Sequence, residues 1–381
     1  MKIALTTVLG SIALLIASPA LAEQGERALS FTASATAEAW RTVQGGLSTG
    51  TVALTMADAT LGLDGAALGH RGFSGEISLV ATNGKSLSAQ IGDIQTASNI
   101  ENDGALHLYQ AWLRQALGQD ASIKAGILDL NADFDTNDTA SLFINSAHGV
   151  GPEISGSGLA GGPVWPLGTA GLLVQARPRP DLNLQFGVYN GVPRDLDHAH
   201  AFAALGHDSR DGLMAIGQAD WTLVKDTRLA IGVWHNSAKL TASDPRLSET
   251  VSGQTGAYAI LEGAVPGLDQ TRGWFRLGLV EPKASSLSQY FGAGLVRQGV
   301  LSGRPDDLLG LAIAHARLSS GSRQADPHLG LAETALELTY AIQLSDRLAI
   351  QPDLQYIIHP GGDRTLNDAL VIGVRMAVQL P

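Results

Sequence analysis

The chain of 381 residues contains no cysteine, and charged residues make up only 16% of it. The absence of cysteine excludes a disulfide framework, a thiolate metal site, an iron–sulfur cluster and a cysteine nucleophile. The formal net charge is −11, with 25 Lys and Arg against 36 Asp and Glu. Because a nucleic-acid surface needs clustered basic residues, this balance argues against a nucleic-acid partner.

Long apolar runs are missing after the amino-terminal segment. Residues 1–22 start with Met1-Lys2, continue with an apolar stretch and end in Ala20-Leu21-Ala22, the pattern of a secretory signal peptide. We therefore expect a signal peptide over 1–22 and one folded domain over 23–381. No later window holds the roughly 18 consecutive apolar residues of a spanning helix, so a membrane location would require a closed β-barrel.

Alternation with a period of two is the dominant pattern of the rest of the chain. In the last strand-like segment, apolar residues occupy every second position: Leu370, Ile372, Val374, Met376, Val378 and Leu380. Such alternation predicts strands with one apolar and one polar face. About 16 segments follow it: 29–42, 49–62, 71–82, 104–116, 121–130, 168–177, 181–190, 211–223, 227–236, 251–263, 271–281, 286–298, 306–318, 332–344, 347–358 and 367–380.

The residues between the apolar positions of each strand are small or charged rather than merely polar, as a water-filled lumen requires. We therefore predict an all-β fold, a membrane-spanning antiparallel β-barrel of about 16 strands. A soluble sandwich would show the same alternation, but strand-like segments fill nearly the whole chain. The long connection from Asn131 to Leu167 is glycine-rich between Gly149 and Gly162. We expect it to fold into the lumen and narrow it, the alternative being a disordered external loop.

Several stretches resemble the OprB-type, carbohydrate-selective porin family of Gram-negative outer membranes. They are Glu38-Ala39-Trp40-Arg41, Tyr109 to Leu113, Ala125 to Asp129, Phe143 to Ser146, Gly292 to Asp307, Glu333 to Tyr340, Ile350 to Tyr356 and His359 to Gly362. The resemblance implies a sixteen-stranded outer-membrane barrel for the diffusion of sugars. Such barrels usually end on an aromatic residue, whereas this chain ends in Leu380-Pro381.

Strand parity predicts which side chains line the lumen and offer hydrogen bonds to a hydrated sugar. The candidates are Glu38, Glu76, Arg276, Glu333, Glu337, Asp353, Gln355 and Arg375, with Trp40 and Trp234 as aromatic surfaces for sugar rings. Tryptophan in an outer-membrane barrel is also typical of the interfacial girdle. For the two tryptophans, the lumen and the girdle remain alternatives.

Three short motifs suggest other chemistry and are better explained without it. Gly46-Leu47-Ser48-Thr49-Gly50 matches a nucleophile elbow but lies between two strand-like segments, which indicates a hairpin turn. The spacing of Asp129, Asn131 and Asp133 begins a calcium loop, yet Phe134 and Ala140 stand where it needs Gly and Glu. The histidine-rich segment 197–207 is predicted to be a solvated loop.

The sequence therefore predicts a channel and not an enzyme, with no metal or cofactor. We expect sugars as permeants, outer-membrane lipid as the surroundings and a Gram-negative outer membrane as the location. A homo-oligomer is left open. The alternatives are a general or ion-preferring porin and, in another class, an outer-membrane barrel enzyme or a secreted β-protein.

Overall fold

The computed structural model describes residues 28–102, 104–193, 210–224, 226–244, 246 and 250–380. The expected signal peptide and the histidine-rich segment lie outside these residues. Sixteen strands account for most of the described chain: β1 Leu29–Gln44, β2 Gly50–Asp64, β3 Phe73–Gly84, β4 Leu106–Ala116, β5 Ala121–Leu128, β6 Thr169–Arg179, β7 Leu182–Asn190, β8 Leu213–Val224, β9 Thr227–Thr241, β10 Thr250–Ala264, β11 Thr271–Val280, β12 Leu287–Gln298, β13 Leu308–Leu318, β14 Ala332–Ser345, β15 Leu348–Ile358 and β16 Ala369–Leu380.

Helical structure in the described residues is confined to short pieces in the connections. Three are α-helical: α1 Ser88–Ile91, α2 Pro152–Ser155 and α3 Ser320–Ala325. Five are 3-10 turns: Ala66–Leu68, Leu130–Ala132, Ala140–Leu142, Ser146–His148 and Pro360–Gly362. None of the described helices has the length and apolar character needed to cross a membrane.

The strands form one closed antiparallel barrel. Each strand pairs with its neighbours in the chain, and β1 pairs with β16 to close the sheet. In that closing ladder Glu38 lies opposite Arg375 and Trp40 lies opposite Gly373. Closure removes both sheet edges, so every strand has a hydrogen-bonded partner on each side. The predicted antiparallel barrel of about 16 strands is confirmed.

The two faces of each strand differ in the way that the alternation predicts. On β16, Ile372, Val374 and Met376 are more than 40% exposed on the outer face, while Val371 is fully buried on the inner face. All strand carboxylates in the described residues occupy inner-face positions; they are Glu38, Asp58, Asp64, Glu76, Asp220, Glu262, Glu333, Glu337 and Asp353. An apolar outer face and a polar inner face are the arrangement of a membrane barrel.

The two ends of the barrel differ in the length of their connections. Residues 117–120, 180–181 and 346–347 are tight turns at one end, which also holds Leu29 and Leu380; we name this end the turn rim. The opposite end, the loop rim, carries the long connections 85–105 and 129–168. The chain alternates between the two rims because consecutive strands are antiparallel.

The hydrophobic core lies inside the barrel, where residues 129–168 pack against the wall; we name this segment the inner loop. Leu130, Phe134, Ile144 and Ile154 of the inner loop are completely buried. They belong to one cluster with wall residues that include Trp40, Met214, Trp234, Tyr258 and Tyr290. Part of the lumen is therefore filled by packed side chains, and the predicted inward fold of this segment is observed.

Candidate functional site in the barrel lumen

The inner loop follows the inner wall around much of the barrel. Its backbone N–H groups donate to wall side chains: Asp135 to Gln218 of β8 at 3.0 Å, Thr139 to Glu262 of β10 at 2.9 Å and Ile144 to Glu337 of β14 at 2.6 Å. Inner-face acceptors thus satisfy the backbone donors of an irregular segment that has no strand partner. The loop is held along its length rather than at its ends alone.

Arg276 of β11 makes the most extensive single attachment of the inner loop. Its guanidinium donates to Asp135 at 2.7 and 2.8 Å and to Glu153 at 2.6 and 3.3 Å. It also lies 5.4 Å from the ring centre of Tyr258 and 5.2 Å from that of Tyr290. Two carboxylates and two aromatic rings around one planar cation satisfy a side chain that is only 2% exposed.

Two glycines make room for this ion-pair cluster. A Cβ at Gly151 would lie 2.0 Å from the Arg276 guanidinium, and one at Gly278 would lie 2.2 Å from the Glu153 carboxylate. Gly151 directly precedes the short helix α2, which presents Glu153 to the wall. Any larger residue at either position would displace a charged group from its partners.

A second attachment joins the inner loop to β14 and β15. Glu337 accepts from the backbone N–H of Ile144 at 2.6 Å and of Asn145 at 3.0 Å, while the Asn145 amide donates to Gln355 at 3.2 Å. His148 lies 3.5 Å from Glu337. Burial lowers the pKa of His148 to about 3, so this histidine is neutral at pH 7 and the contact is not an ion pair.

The connection 85–105, which we name the β3–β4 loop, also folds onto the inner wall. Glu333 accepts from the backbone N–H of Ile94 at 2.9 Å and of Gln95 at 3.1 Å. Glu38 accepts from the Ser98 hydroxyl and, at 2.6 Å, from Arg375. The two inward segments also touch each other, since the Asn99 N–H donates to the Ile144 carbonyl at 2.8 Å.

All ten predicted site residues lie on the inner face, and most of them contact the two inward segments. Those buried at the wall are Glu38, Trp40, Trp234, Arg276, Glu333, Glu337, Asp353 and Gln355. Glu76 is half-buried, and no hydrogen bond to it is found within the described residues. The Arg375 side chain retains 14% exposure. Strand parity therefore places these side chains in the lumen without saying which of them remain open to it.

Sequence reasoning missed several inner-face charges that keep some exposure. Lys124 of β5 pairs with Asp133 of the inner loop at 2.9 Å and lies 4.6 Å from the Trp112 ring centre. Arg228 of β9 pairs with Asp220 of β8 and, at 3.0 Å, with Glu262. Parity alone could have identified the wall members of these pairs, because each occupies a polar position of an alternating segment.

The acidic run that resembles a calcium loop is divided among separate partners. Asp133 pairs with Lys124, Asp135 pairs with Arg276, and Asp129 accepts from the Tyr109 hydroxyl and the Asn131 N–H. Burial raises the pKa of Asp129 to about 6. Within the described ranges, no group of three or more His, Cys, Asp or Glu is arranged to hold a metal ion.

Comparison with known proteins identifies the family. The sequence model that describes the family of carbohydrate-selective porins of the OprB type matches residues 54–380. Porin B of Pseudomonas aeruginosa is 25% identical over 354 residues, which cover 81% of this chain and 77% of Porin B.

Solved structures agree on the fold. The high-pH structure of Pseudomonas putida OprB superimposes with a TM-score of 0.83 at 18% identity, covering 93% of this chain and 94% of that one. The outer membrane channel DcaP of Acinetobacter baumannii gives a TM-score of 0.60 at 9% identity, covering 94% of this chain and all of the DcaP chain. With a sixteen-stranded barrel, a polar lumen and a family match over most of its length, the chain belongs to the OprB family of carbohydrate-selective porins.

Proposed function

We propose that the inner loop sets the size limit of a passive, sugar-selective channel through the outer membrane. A barrel of 16 strands is wide enough to leave an aqueous channel, and the inner loop fills part of that width. Permeation requires no bond to form or break, so the proposal assigns no catalytic residue and no cofactor. Residues 1–22 serve as a signal peptide that is removed on export, and the turn rim faces the periplasm.

One observation carries this proposal: the inner loop is attached across the lumen to strands far from its own ends. It starts after β5 and returns at β6, yet Arg276 on β11 and Glu337 on β14 hold its middle. A segment held in this way narrows the lumen permanently, unlike a free external loop. Passage is then restricted to the space between the inner loop and the remaining wall.

The charges that keep exposure in the lumen suit a neutral, hydrated permeant. Lys124 pairs with Asp133, and Arg228 pairs with Asp220, so donors and acceptors lie side by side. A sugar hydroxyl exchanges its water hydrogen bonds for bonds to such groups, and binding stays weak enough for release. We propose Glu76 and Arg375 as further lining residues.

Liposome swelling with sugars of increasing size tests the proposal. The intact channel should pass monosaccharides faster than disaccharides, and a variant shortened within residues 149–162 should discriminate less and conduct more in planar bilayers. Equal swelling with sugars, amino acids and phosphate would instead identify a general porin. Unchanged conductance and discrimination in the shortened, folded variant would refute the size-limiting role of the inner loop.

The missing cysteines allow a direct test of the lining residues. Glu76→Cys and Ile77→Cys place single thiols on neighbouring residues of β3, one on the inner and one on the outer face. A charged, water-soluble thiol reagent should reduce the current through Glu76→Cys and leave Ile77→Cys unaffected. Equal effects on both variants would contradict the assignment of Glu76 to the channel.

A further inference from the structure

An open cavity of about 390 Å³ lies at the turn rim, under the connection between β10 and β11. Five of its lining residues occupy inner-face positions of β10 to β13: Ala264, Arg272, Val296, Gln298 and Leu308. The cavity therefore opens on the lumen side of the wall. None of its lining residues takes part in the attachments of the inner loop described above, and we name this cavity the exit pocket.

The exit pocket carries several hydrogen-bonding side chains that the protein leaves free. Arg272 donates through Nε to the Thr139 hydroxyl of the inner loop at 3.3 Å, and its two Nη groups have no partner among the described residues. Over the same residues, no hydrogen bond is found to the side chains of Asp269, Gln270 or Gln298. A carboxylate, two amides and a guanidinium thus line one small cavity.

Apolar side chains complete the pocket. Leu268, Val296 and Leu308 line it, and Val296 also packs against the cluster of Ala140, Phe143 and Trp274 at the inner loop. Ligand sites typically combine apolar walls with a few convergent polar groups. A pyranose ring has the matching surface, with C–H faces for the apolar side chains and hydroxyls that both donate and accept.

We propose that the exit pocket is a weak sugar-binding subsite on the periplasmic side of the channel. This proposal rests on the proposed function, because a sugar reaches the pocket after it passes the inner loop. Arg272 links the two regions, since it contacts Thr139 of the inner loop and also lines the pocket. A subsite there holds each sugar briefly between the narrow region and the periplasm.

Thiol protection tests the subsite directly. Ala264→Cys introduces a single thiol at an exposed pocket residue without removing a hydrogen-bonding group. Ala377→Cys is the matched control, on the inner face of β16 near the same rim. With glucose or maltose at about four times the dissociation constant, labelling at Ala264→Cys should slow about fivefold, because the unoccupied fraction falls as 1/(1 + [L]/Kd). Labelling at Ala377→Cys should not change.

A second variant separates sugar binding in the exit pocket from simple obstruction of the thiol reagent by sugar in the channel. Adding Asp269→Ala and Gln298→Ala to Ala264→Cys should abolish the protection, while liposome swelling with glucose confirms an open channel. The proposal is overturned if swelling is normal but sugars protect neither thiol, protect both equally, or protect Ala264→Cys despite the two alanines. A thiol at position 264 that the reagent does not reach also overturns it. Loss of sugar-dependent swelling in the unmodified channel would instead contradict the proposed function.

Discussion

Replacing Arg276 by methionine tests whether the inner loop is held by its ion-pair cluster. The change removes a guanidinium that makes four charge-assisted hydrogen bonds to Asp135 and Glu153. It leaves two carboxylates buried without a counter-charge. Removing one partner of a buried ion pair typically costs about 3–5 kcal/mol, so the ratio of detached to attached inner loop should rise by about 150- to 5,000-fold.

The expected result is a wider channel in a barrel that still forms. Single-channel conductance should rise, disaccharides should enter liposomes almost as fast as monosaccharides, and heat-modifiable gel migration should be retained. Adding Asp135→Asn and Glu153→Gln to Arg276→Met should lower the conductance part of the way back to that of the parent channel, because neutral amides do not need the missing cation.

Arg179→Met is the control for this experiment. Arg179 pairs with Asp181 at the turn rim, where both side chains are more than half exposed, and exposed pairs contribute about 0–1 kcal/mol. The single-channel conductance of Arg179→Met should equal that of the parent channel. If Arg276→Met also keeps the parent conductance and sugar discrimination in a folded barrel, the cluster does not hold the inner loop in place.

Three further predictions follow from the same contacts. Ile77→Arg should reduce the yield of folded barrel far more than Glu76→Arg, since an outward arginine in mid-membrane costs about 2–4 kcal/mol; equal yields would contradict the register. Gly151→Ala should raise conductance because its Cβ would lie 2.0 Å from a guanidinium, whereas Gly149→Ala, whose nearest neighbour would be 3.6 Å away, should not; identical currents would refute this. Burial raises the pKa of Asp93 to about 6. The folded β3–β4 loop therefore binds a proton more tightly than the unfolded chain, and its stability should fall as the pH rises through 6. Proteolysis of the β3–β4 loop should therefore be faster at pH 7 than at pH 5, and Asp93→Asn should remove this difference. A pH difference that persists in Asp93→Asn would assign the effect to another group.

The strands were predictable because their signal is local. Alternation over ten residues reveals both the strand and its outward face, and β16 follows it from Leu370 to Leu380. The predicted boundaries deviate most where a strand extends beyond its clear alternation, as in β9, which continues to Thr241 rather than 236. There the antiparallel partner β10 provides the hydrogen bonds that the sequence pattern alone does not indicate.

Which of the predicted site residues are covered by the two inward segments could not be predicted in the same way. Parity places Glu337 in the lumen, but its partners, the N–H groups of Ile144 and Asn145, are backbone groups nearly 200 positions away. No residue type encodes such a contact. The β3–β4 loop escaped notice for the same reason, since Glu333 holds it through the N–H groups of Ile94 and Gln95.

These long sequence separations determine when during assembly the channel becomes narrow. Asp135 is 141 positions from Arg276, and Ile144 is 193 positions from Glu337. Contacts between such distant residues form late, because the intervening chain must first be ordered. Before β11 and β14 join the sheet, both of these attachments are absent, and the inner loop is held only by strands nearer to it in the chain, such as β8 and β10 through Gln218 and Glu262. The later strands therefore complete the narrow region of the channel as well as its wall.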